Sequence, residues 1–220
     1  MARTYGYYCP VAHALGMIGD RWSLLIVRDL LRGPQRFTDL LTYLGDITPK
    51  WLMLRLRKLE EGGIVERENR QDHREVWYKL TPAGYDLRPV IEALWNWGLR
   101  YAMRPPLPGE VVHPEMAMGT LTASLNRRSR KLIQPATWLF QFTPGGPYSL
   151  CFDGNHWSAK EGKKKDPDIS VTISPESWAT FLAVERSERN RLAKTMQIDG
   201  VPERVKEFLY TLGVHNEMTE

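Results

Sequence analysis

The stretch Thr48-Pro49-Lys50-Trp51-Leu52-Met53-Leu54-Arg55-Leu56-Arg57-Lys58-Leu59 reads as a helix with one apolar face and one basic face. Thr48 carries an oxygen suited to capping the first turn, and Pro49 suits the first helical position, where its missing N–H costs nothing. At about 100° per residue, Leu52, Leu56 and Leu59 form one stripe, while Lys50, Leu54, Arg57 and Lys58 project the other way. The segment holds four basic residues and no acid. A core on one side and cations on the other suit a helix lodged in an anionic groove, and DNA is the obvious anion. A basic face is also what any solvated helix presents, so the flanking residues decide between the two. The angle of Trp51 sets it near the core boundary, where packing is its expected use.

Upstream, Arg36-Phe37-Thr38-Asp39-Leu40-Leu41-Thr42-Tyr43-Leu44 reads as a short amphipathic helix, and Gly45-Asp46-Ile47 turns into Thr48. Together the two segments make a helix-turn-helix. Downstream, Gly62-Gly63 ends the second helix. Ile64-Val65-Glu66-Arg67 and Glu75-Val76-Trp77-Tyr78-Lys79-Leu80 follow as two strands around the polar tip 68–74, the pattern of a wing. Thr81-Pro82-Ala83-Gly84 then starts a long helix predicted to run to about Tyr101.

Several blocks in this region resemble one family. Gly19-Asp20-Arg21-Trp22-Ser23-Leu24-Leu25-Ile26, Gly33-Pro34-Gln35-Arg36-Phe37, Ile47-Thr48-Pro49-Lys50, Leu56-Arg57-Lys58-Leu59-Glu60-Glu61-Gly62-Gly63-Ile64-Val65 and Tyr78-Lys79-Leu80-Thr81-Pro82-Ala83-Gly84, with Cys9-Pro10-Val11 ahead of them, look like the HxlR-type winged helix-turn-helix regulators of bacteria, cousins of the MarR group. The resemblance covers about the first hundred residues. It implies a homodimeric, sequence-specific transcription regulator that binds double-stranded operator DNA carrying an inverted repeat, with the terminal helices of the domain forming the dimer. Thr48, Pro49, Lys50, Met53, Leu54 and Arg57 would reach base edges and adjacent phosphates, Arg36 the phosphate backbone, and His73 and Arg74 on the wing the minor groove or its phosphates. The dimer is expected to use the helix around Ala12–Ile18 and the apolar set Leu87, Ile91, Leu94, Trp95 and Leu99. Some members sense electrophiles or oxidants through the cysteine at the position of Cys9. For this chain both readings of Cys9, redox sensor and small buried hydrophobe, stay open.

A chain of 220 residues supports two cores. Arg104-Pro105-Pro106-Leu107-Pro108-Gly109-Glu110 cannot continue a helix and favours an extended linker, which sets the expected domains at 1–102, a linker at 103–114 and a second domain at 115–220. The net charge of +4 is mild for a DNA-binding protein, so basic character must be local. Residues 1–11 hold no signal-peptide core and no stretch approaches about 18 apolar residues, so a cytoplasmic protein without a membrane partner is expected.

The second half changes character. Trp138, Phe140 and Phe142 share one face of a strand. After the turn Pro144-Gly145-Gly146-Pro147 the alternation continues through Leu150 and Phe152, then to Trp157 on a third strand and to Ile169, Val171 and Ile173 on a fourth. Trp178, Phe181 and Leu182 recur at helical spacing, and a second short helix, a last strand and a final helix follow. Phe152-Asp153-Gly154, Trp157, Asp166-Pro167-Asp168-Ile169-Ser170-Val171-Thr172-Ile173, Ser174-Pro175-Glu176-Ser177-Trp178 and Ile198-Asp199-Gly200 resemble the sterol-carrier-protein lipid-binding fold over roughly residues 132–212. Those relatives usually carry a glycine before the last strand, where this chain has Lys194-Thr195. The fold class is thus α+β: a winged helix-turn-helix domain followed by an α+β sterol-carrier-like domain. The latter would hold a small apolar ligand among Trp138, Phe140, Phe142, Leu150, Phe152, Trp157, Val171, Trp178 and Phe181. As single residues these are what any half-buried sheet requires. The lysines of Lys160-Glu161-Gly162-Lys163-Lys164-Lys165 read as a solvated hairpin.

No enzymatic reading is supported. The five histidines are scattered without metal-ligand spacing, and neither half offers a nucleophile beside a base or a phosphate-binding glycine loop, so neither cofactor nor metal is expected. Two other classes stay open: a hydrophobic-ligand or lipid-binding protein that uses its winged helix for protein interaction, and an architectural protein that binds DNA without sequence preference.

Overall fold

The structure is a computed structural model that describes residue 6 and residues 8–69, 76–127, 132 and 134–214. The chain divides into two compact units, residues 1–101 and 102–220.

The first unit begins with α1 (Pro10–Ile18), α2 (Ser23–Leu30), the two-residue strand β1 (Gln35–Arg36), α3 (Phe37–Leu44) and α4 (Pro49–Glu61). Helix α4 starts as its caps dictate: Thr48 Oγ1 accepts the Trp51 amide at 3.3 Å and Pro49 sits in the first turn. It ends as the Gly62 amide donates to the Lys58 carbonyl at 2.9 Å and Gly63 turns away at φ +68°, a conformation that favours glycine. Leu52, Leu56 and Leu59 are fully buried against Ile26, Val27 and Leu30 of α2 and Leu40 of α3. At the start of α2, Asp20 Oδ1 accepts the amides of Trp22 and Ser23 and also meets the Arg55 guanidinium of α4 at 3.1 Å, which ties the two helices together.

The wing strands β2 (Val65–Asn69) and β3 (Val76–Leu80) pair antiparallel from Val65↔Leu80 to Asn69↔Val76. β1 joins the other edge of β3, giving the order β1-β3-β2. A strand of two residues has no period to read, and it went unanticipated for that reason. Thr81 Oγ1 donates to the Gly63 carbonyl at 2.6 Å and accepts the Gly84 amide at 3.1 Å. Gly84 allows this closeness, since a Cβ there would stand 2.2 Å from the Ile64 carbonyl oxygen.

The single helix predicted from Pro82 to Tyr101 is instead α5 (Pro82–Tyr85) and α6 (Arg88–Tyr101). Pro89 has no N–H to donate back to Tyr85 and its ring excludes a continuous turn, so the helix stops and restarts with proline in its new first turn. Only Leu87 and Ile91 of this stretch pack against the core, and no residue of α6 is fully buried.

In the second unit the Pro-rich run is not extended. The Arg104 guanidinium grips the Glu110 carboxylate, which also accepts the Leu107 amide at 2.7 Å, closing a loop; these bonds hold the Glu110 carboxyl at about 2. Helix α7 (Pro114–Arg127) follows, so Pro114 belongs to a helix rather than to a linker. This helix escaped the sequence reading because its alanines, threonines and glycine form a weak apolar stripe. Its Ala117, Met118, Leu121 and Leu125 are nevertheless buried.

The sheet consists of β4 (Ala136–Phe142), β5 (Pro147–Phe152), β6 (Trp157–Glu161), β7 (Ile169–Ile173) and β8 (Gln197–Gly200) in the order β6-β5-β4-β7-β8. β4 and β7 run parallel and the other neighbours antiparallel. Helices α8 (Pro175–Ala183), α9 (Arg186–Ala193) and α10 (Pro202–Thr211) complete the unit. Asn126 of α7 clasps edge strand β6, donating to the Trp157 carbonyl at 2.9 Å and accepting its amide at 2.7 Å. Arg204 of α10 reaches Asp168 at 3.0 Å and the Pro135 carbonyl at 3.0 Å, fastening α10 across the end of the sheet.

Candidate nucleic-acid interface

Helix α4 presents the face that its sequence implies. Opposite its buried leucines, Thr48, Pro49, Lys50, Arg57 and Lys58 are exposed, together with Met53 at 59% and Leu54 at 42%. Arg57 pairs with Glu61 at 3.1 Å, but both side chains are largely in water, where such a pair is worth little and gives way readily. One residue departs from expectation, and a second has no face assigned by its angle. Trp51 is not at the core boundary: it is 49% exposed, and the Arg55 guanidinium lies 5.5 Å from its ring centre. Arg55, which the helical angle assigns to neither face, is turned inward to Asp20, so the outward cations are Lys50, Arg57 and Lys58. The competition between solvent and a carboxylate just ahead of α2 decided this, and the partner lies 35 positions away in the chain.

Arg36 is half-buried at the start of α3. Its amide and Nε each lie 3.2 Å from Asp39 Oδ2, and its guanidinium stands 5.5 Å from the Trp77 ring centre. Arg67 on the wing strand pairs with Glu60 at 2.7 Å and lies over Tyr78, a wing cation that sequence reasoning did not single out because a lone arginine on a strand carries no motif. Burial pushes the Tyr78 phenol up against the opposing influence of Arg67, so the phenol stays neutral beneath the Arg67–Glu60 pair. His73 and Arg74 lie outside the described residues.

Helices α1 and α6 leave large apolar side chains in water: Val11, Leu15 and Met17 on one, Val90, Leu94, Trp97 and Tyr101 on the other. Of the apolar set expected to form a dimer, Leu94 is exposed while Leu87, Ile91, Trp95 and Leu99 are half-buried. Cys9 is a half-buried free thiol at the start of α1.

In the second unit the structure brings all nine aromatic and aliphatic residues of the expected ligand site into one buried cluster. Trp138 lies tilted at 45° to Trp157 with ring centres 4.4 Å apart and meets Phe208 edge-on at 4.9 Å, while Trp178 lies 4.8 Å from Phe140 and 5.3 Å from Phe181. Phe208 of α10 and the apolar side of α7 close the cluster, and neither belongs to the set named from sequence. The indole Nε1 atoms of Trp138 and Trp178 are buried without an acceptor among the described residues. Buried donors normally find partners, and leaving one unmet costs about 1–3 kcal/mol. Among the described residues no cluster of His, Cys, Asp and Glu could hold a metal ion, and no helix is long and apolar enough to cross a membrane.

Comparison with known proteins places the first unit. A family described as HxlR-like helix-turn-helix matches residues 17–105. The HTH-type transcriptional regulator sll1512 of Synechocystis is 36% identical over 94 residues, covering 42% of this chain and 70% of that protein. YdeP of Bacillus subtilis, also an HTH-type transcriptional regulator, is 37% identical over 97 residues, covering 44% of this chain and 76% of its own length. Among solved structures, the redox regulator HypR in its oxidized form is 36% identical with a TM-score of 0.39, covering 41% of this chain and 94% of that one. The reduced form of the regulator YodB from B. subtilis is 32% identical with a TM-score of 0.39, covering 47% and 100%. With the family match over residues 17–105, and with sll1512 and YdeP at 36% and 37% identity matched over 70% and 76% of their length and both described as HTH-type transcriptional regulators, the chain belongs to the HxlR-like helix-turn-helix family.

Proposed function

We propose that the protein is a sequence-specific, dimeric DNA-binding transcription regulator in which α4 enters the major groove. The observation that carries this is the solvent face of α4. Lys50, Arg57 and Lys58 stand on one side of a helix whose other side is locked into the core by three fully buried leucines, so the charged face is held rigidly outward. Thr48, Pro49, Lys50, Met53, Leu54 and Arg57 then meet the groove, with Arg36 beside the phosphates. The exposed apolar sides of α1 and α6 support a homodimer, and two copies would require half-sites about one helical turn, roughly 34 Å, apart.

The test is retardation of the gene's own upstream DNA, with Lys50→Ala and Arg57→Ala as variants. Loss of a phosphate contact lowers the salt slope by about one, whereas loss of a base contact costs about 1–3 kcal/mol and relaxes specificity. Unchanged binding in both folded variants overturns the assignment of α4. Equal affinity for random and upstream DNA replaces the regulator with an architectural binder.

For the second unit we propose a small apolar ligand, in keeping with its sterol-carrier-like sequence pattern. The two buried indole N–H groups without acceptors support this reading, because a ligand oxygen would complete them. Regulation requires that the ligand favour the DNA-competent or the incompetent state, with coupling of about 1–3 kcal/mol in a typical case. Tryptophan fluorescence titrations with fatty acids, sterols and aromatic acids, followed by operator titration with any ligand found, test it. A hydrophobic-ligand protein without DNA function would quench and show no salt-dependent DNA affinity.

A further inference from the structure

The reading face of α4 is not only basic. Met53 and Leu54 are 59% and 42% exposed, although the core side of the helix is already filled by Leu52, Leu56 and Leu59. Packing within the first unit therefore does not require large apolar side chains there. At about 100° per residue, Lys50 and Arg57 fall close to one line along the exposed arc, and Met53 and Leu54 stand about 50° to either side of that line, each one turn after Lys50 and one turn before Arg57. Trp51 lies apart on the shoulder of the arc, held under the Arg55 guanidinium.

This arrangement restricts which base edges the helix can accept. In the major groove guanine shows two acceptors, adenine an acceptor and a donor, and cytosine a donor, and only thymine adds a methyl group. Leucine has no donor or acceptor and methionine only a weakly accepting thioether sulfur, so a polar edge pressed against them loses its water without adequate replacement, which is costly. A thymine methyl pressed against them gains by leaving water.

We propose that Met53 and Leu54 read thymine C5-methyl groups, so that each operator half-site carries thymine at the steps facing the middle of α4, flanked by the positions anchored by Lys50 and Arg57. The proposal rests on α4 being the DNA-reading helix, and its test separates the two claims. Once the bound site is mapped, each thymine of a half-site is replaced in turn by deoxyuridine, which removes the methyl and leaves base pairing and phosphates untouched. Full-length protein should bind about three- to fivefold more weakly at one or two such positions, the fold-change corresponding to one buried carbon. At those positions Met53→Ala or Leu54→Ala should bind thymine and uracil operators alike, and 5-methylcytosine should be tolerated better than cytosine. Equal affinity for thymine and uracil at every position, while Lys50→Ala still lowers the salt slope, overturns methyl reading and leaves α4 as the DNA helix. A uracil penalty that survives in both variants overturns the assignment to these two residues. If neither uracil nor Lys50→Ala has any effect, the DNA role of α4 falls as well. Both side chains are exposed, so each variant should keep the wild-type circular dichroism spectrum, which is to be recorded alongside the binding data.

Discussion

The two units fill their interiors with different chemistry and leave different groups unsatisfied. The first is built on aliphatic residues, with Ile26, Val27, Leu30, Leu40, Leu52, Leu56 and Leu59 all fully buried, and it leaves Met53, Leu54, Leu94 and Trp97 in water. The second turns its large rings inward, burying Trp138, Phe140, Phe142, Trp178, Phe181 and Phe208, and leaves two indole donors without acceptors among the described residues. Branched aliphatic side chains carry no polar atom into a core, so apart from the buried Arg55 Nε, which has only the ion pair with Asp20, what the first unit leaves unmet is apolar and lies on its surface, where other macromolecules reach it. Indoles bring a donor with them wherever they are buried, so what remains unmet in the second unit lies inside.

The largest effect that can break this contrast is truncation of each core. Phe140→Ala should cost the second unit about 3–5 kcal/mol and Leu56→Ala should cost the first about 2–5 kcal/mol. Denaturant unfolding combined with limited proteolysis should show each variant shifting the transition of its own unit. A common shift of both transitions by either variant would mean that the two cores are one thermodynamic body.

A surface that awaits a partner should tolerate charge until the partner is needed. Replacing both Leu94 and Trp97 by Glu should leave the fold intact by circular dichroism, convert a dimer to monomer in sedimentation, and weaken operator binding at least tenfold, about 1.4 kcal/mol. A wild-type monomer with full operator affinity would move the apolar side of α6 out of the dimer.

Trp138→Phe and Trp178→Phe probe the interior more gently, by deleting an unmet donor together with part of a ring. Relief of the unpaired N–H and loss of packing oppose each other, so each net change should stay within about 1.5 kcal/mol. A loss as large as that of Phe140→Ala would show that the indole N–H is bonded in solution.

The smallest effect is the pH response of the second unit. Burial pushes the Asp168 carboxyl up, but hydrogen bonds from Arg204 and the Thr137 amide outweigh it and hold the group below the ordinary carboxylate range. The folded state therefore favours the ionised form. Its contribution is present above the unfolded value near 3.9 and is lost as pH falls through the lower folded value. Acid titration of tryptophan fluorescence should show this loss, and Arg204→Met should flatten it.

What was legible in the sequence follows the same division. The caps and leucine period of α4 act within a few residues, so its limits and both its faces could be read directly. The alternation of Trp138, Phe140 and Phe142 likewise named a buried strand face. Helix α7 was missed because small residues give a shallow period, and β1 because it exists only through the pairing of Gln35 with Tyr78. Of the candidate site, the outward cations of α4 were legible from angle alone, while the inward turn of Arg55 and the exposure of Trp51 were not.

The sequence by itself determined where α4 starts and stops, which strand faces are apolar, and which family the first unit resembles. These are set by local covalent constraints, capping bonds and periodicity. Only the tertiary structure decided that Asp20 would claim Arg55, that α7 and Phe208 would close the aromatic cluster, and that two indole donors would be buried without acceptors. Each of these is an outcome of competition among partners distant in the chain, in which burial and charge pairing override what any single segment prefers.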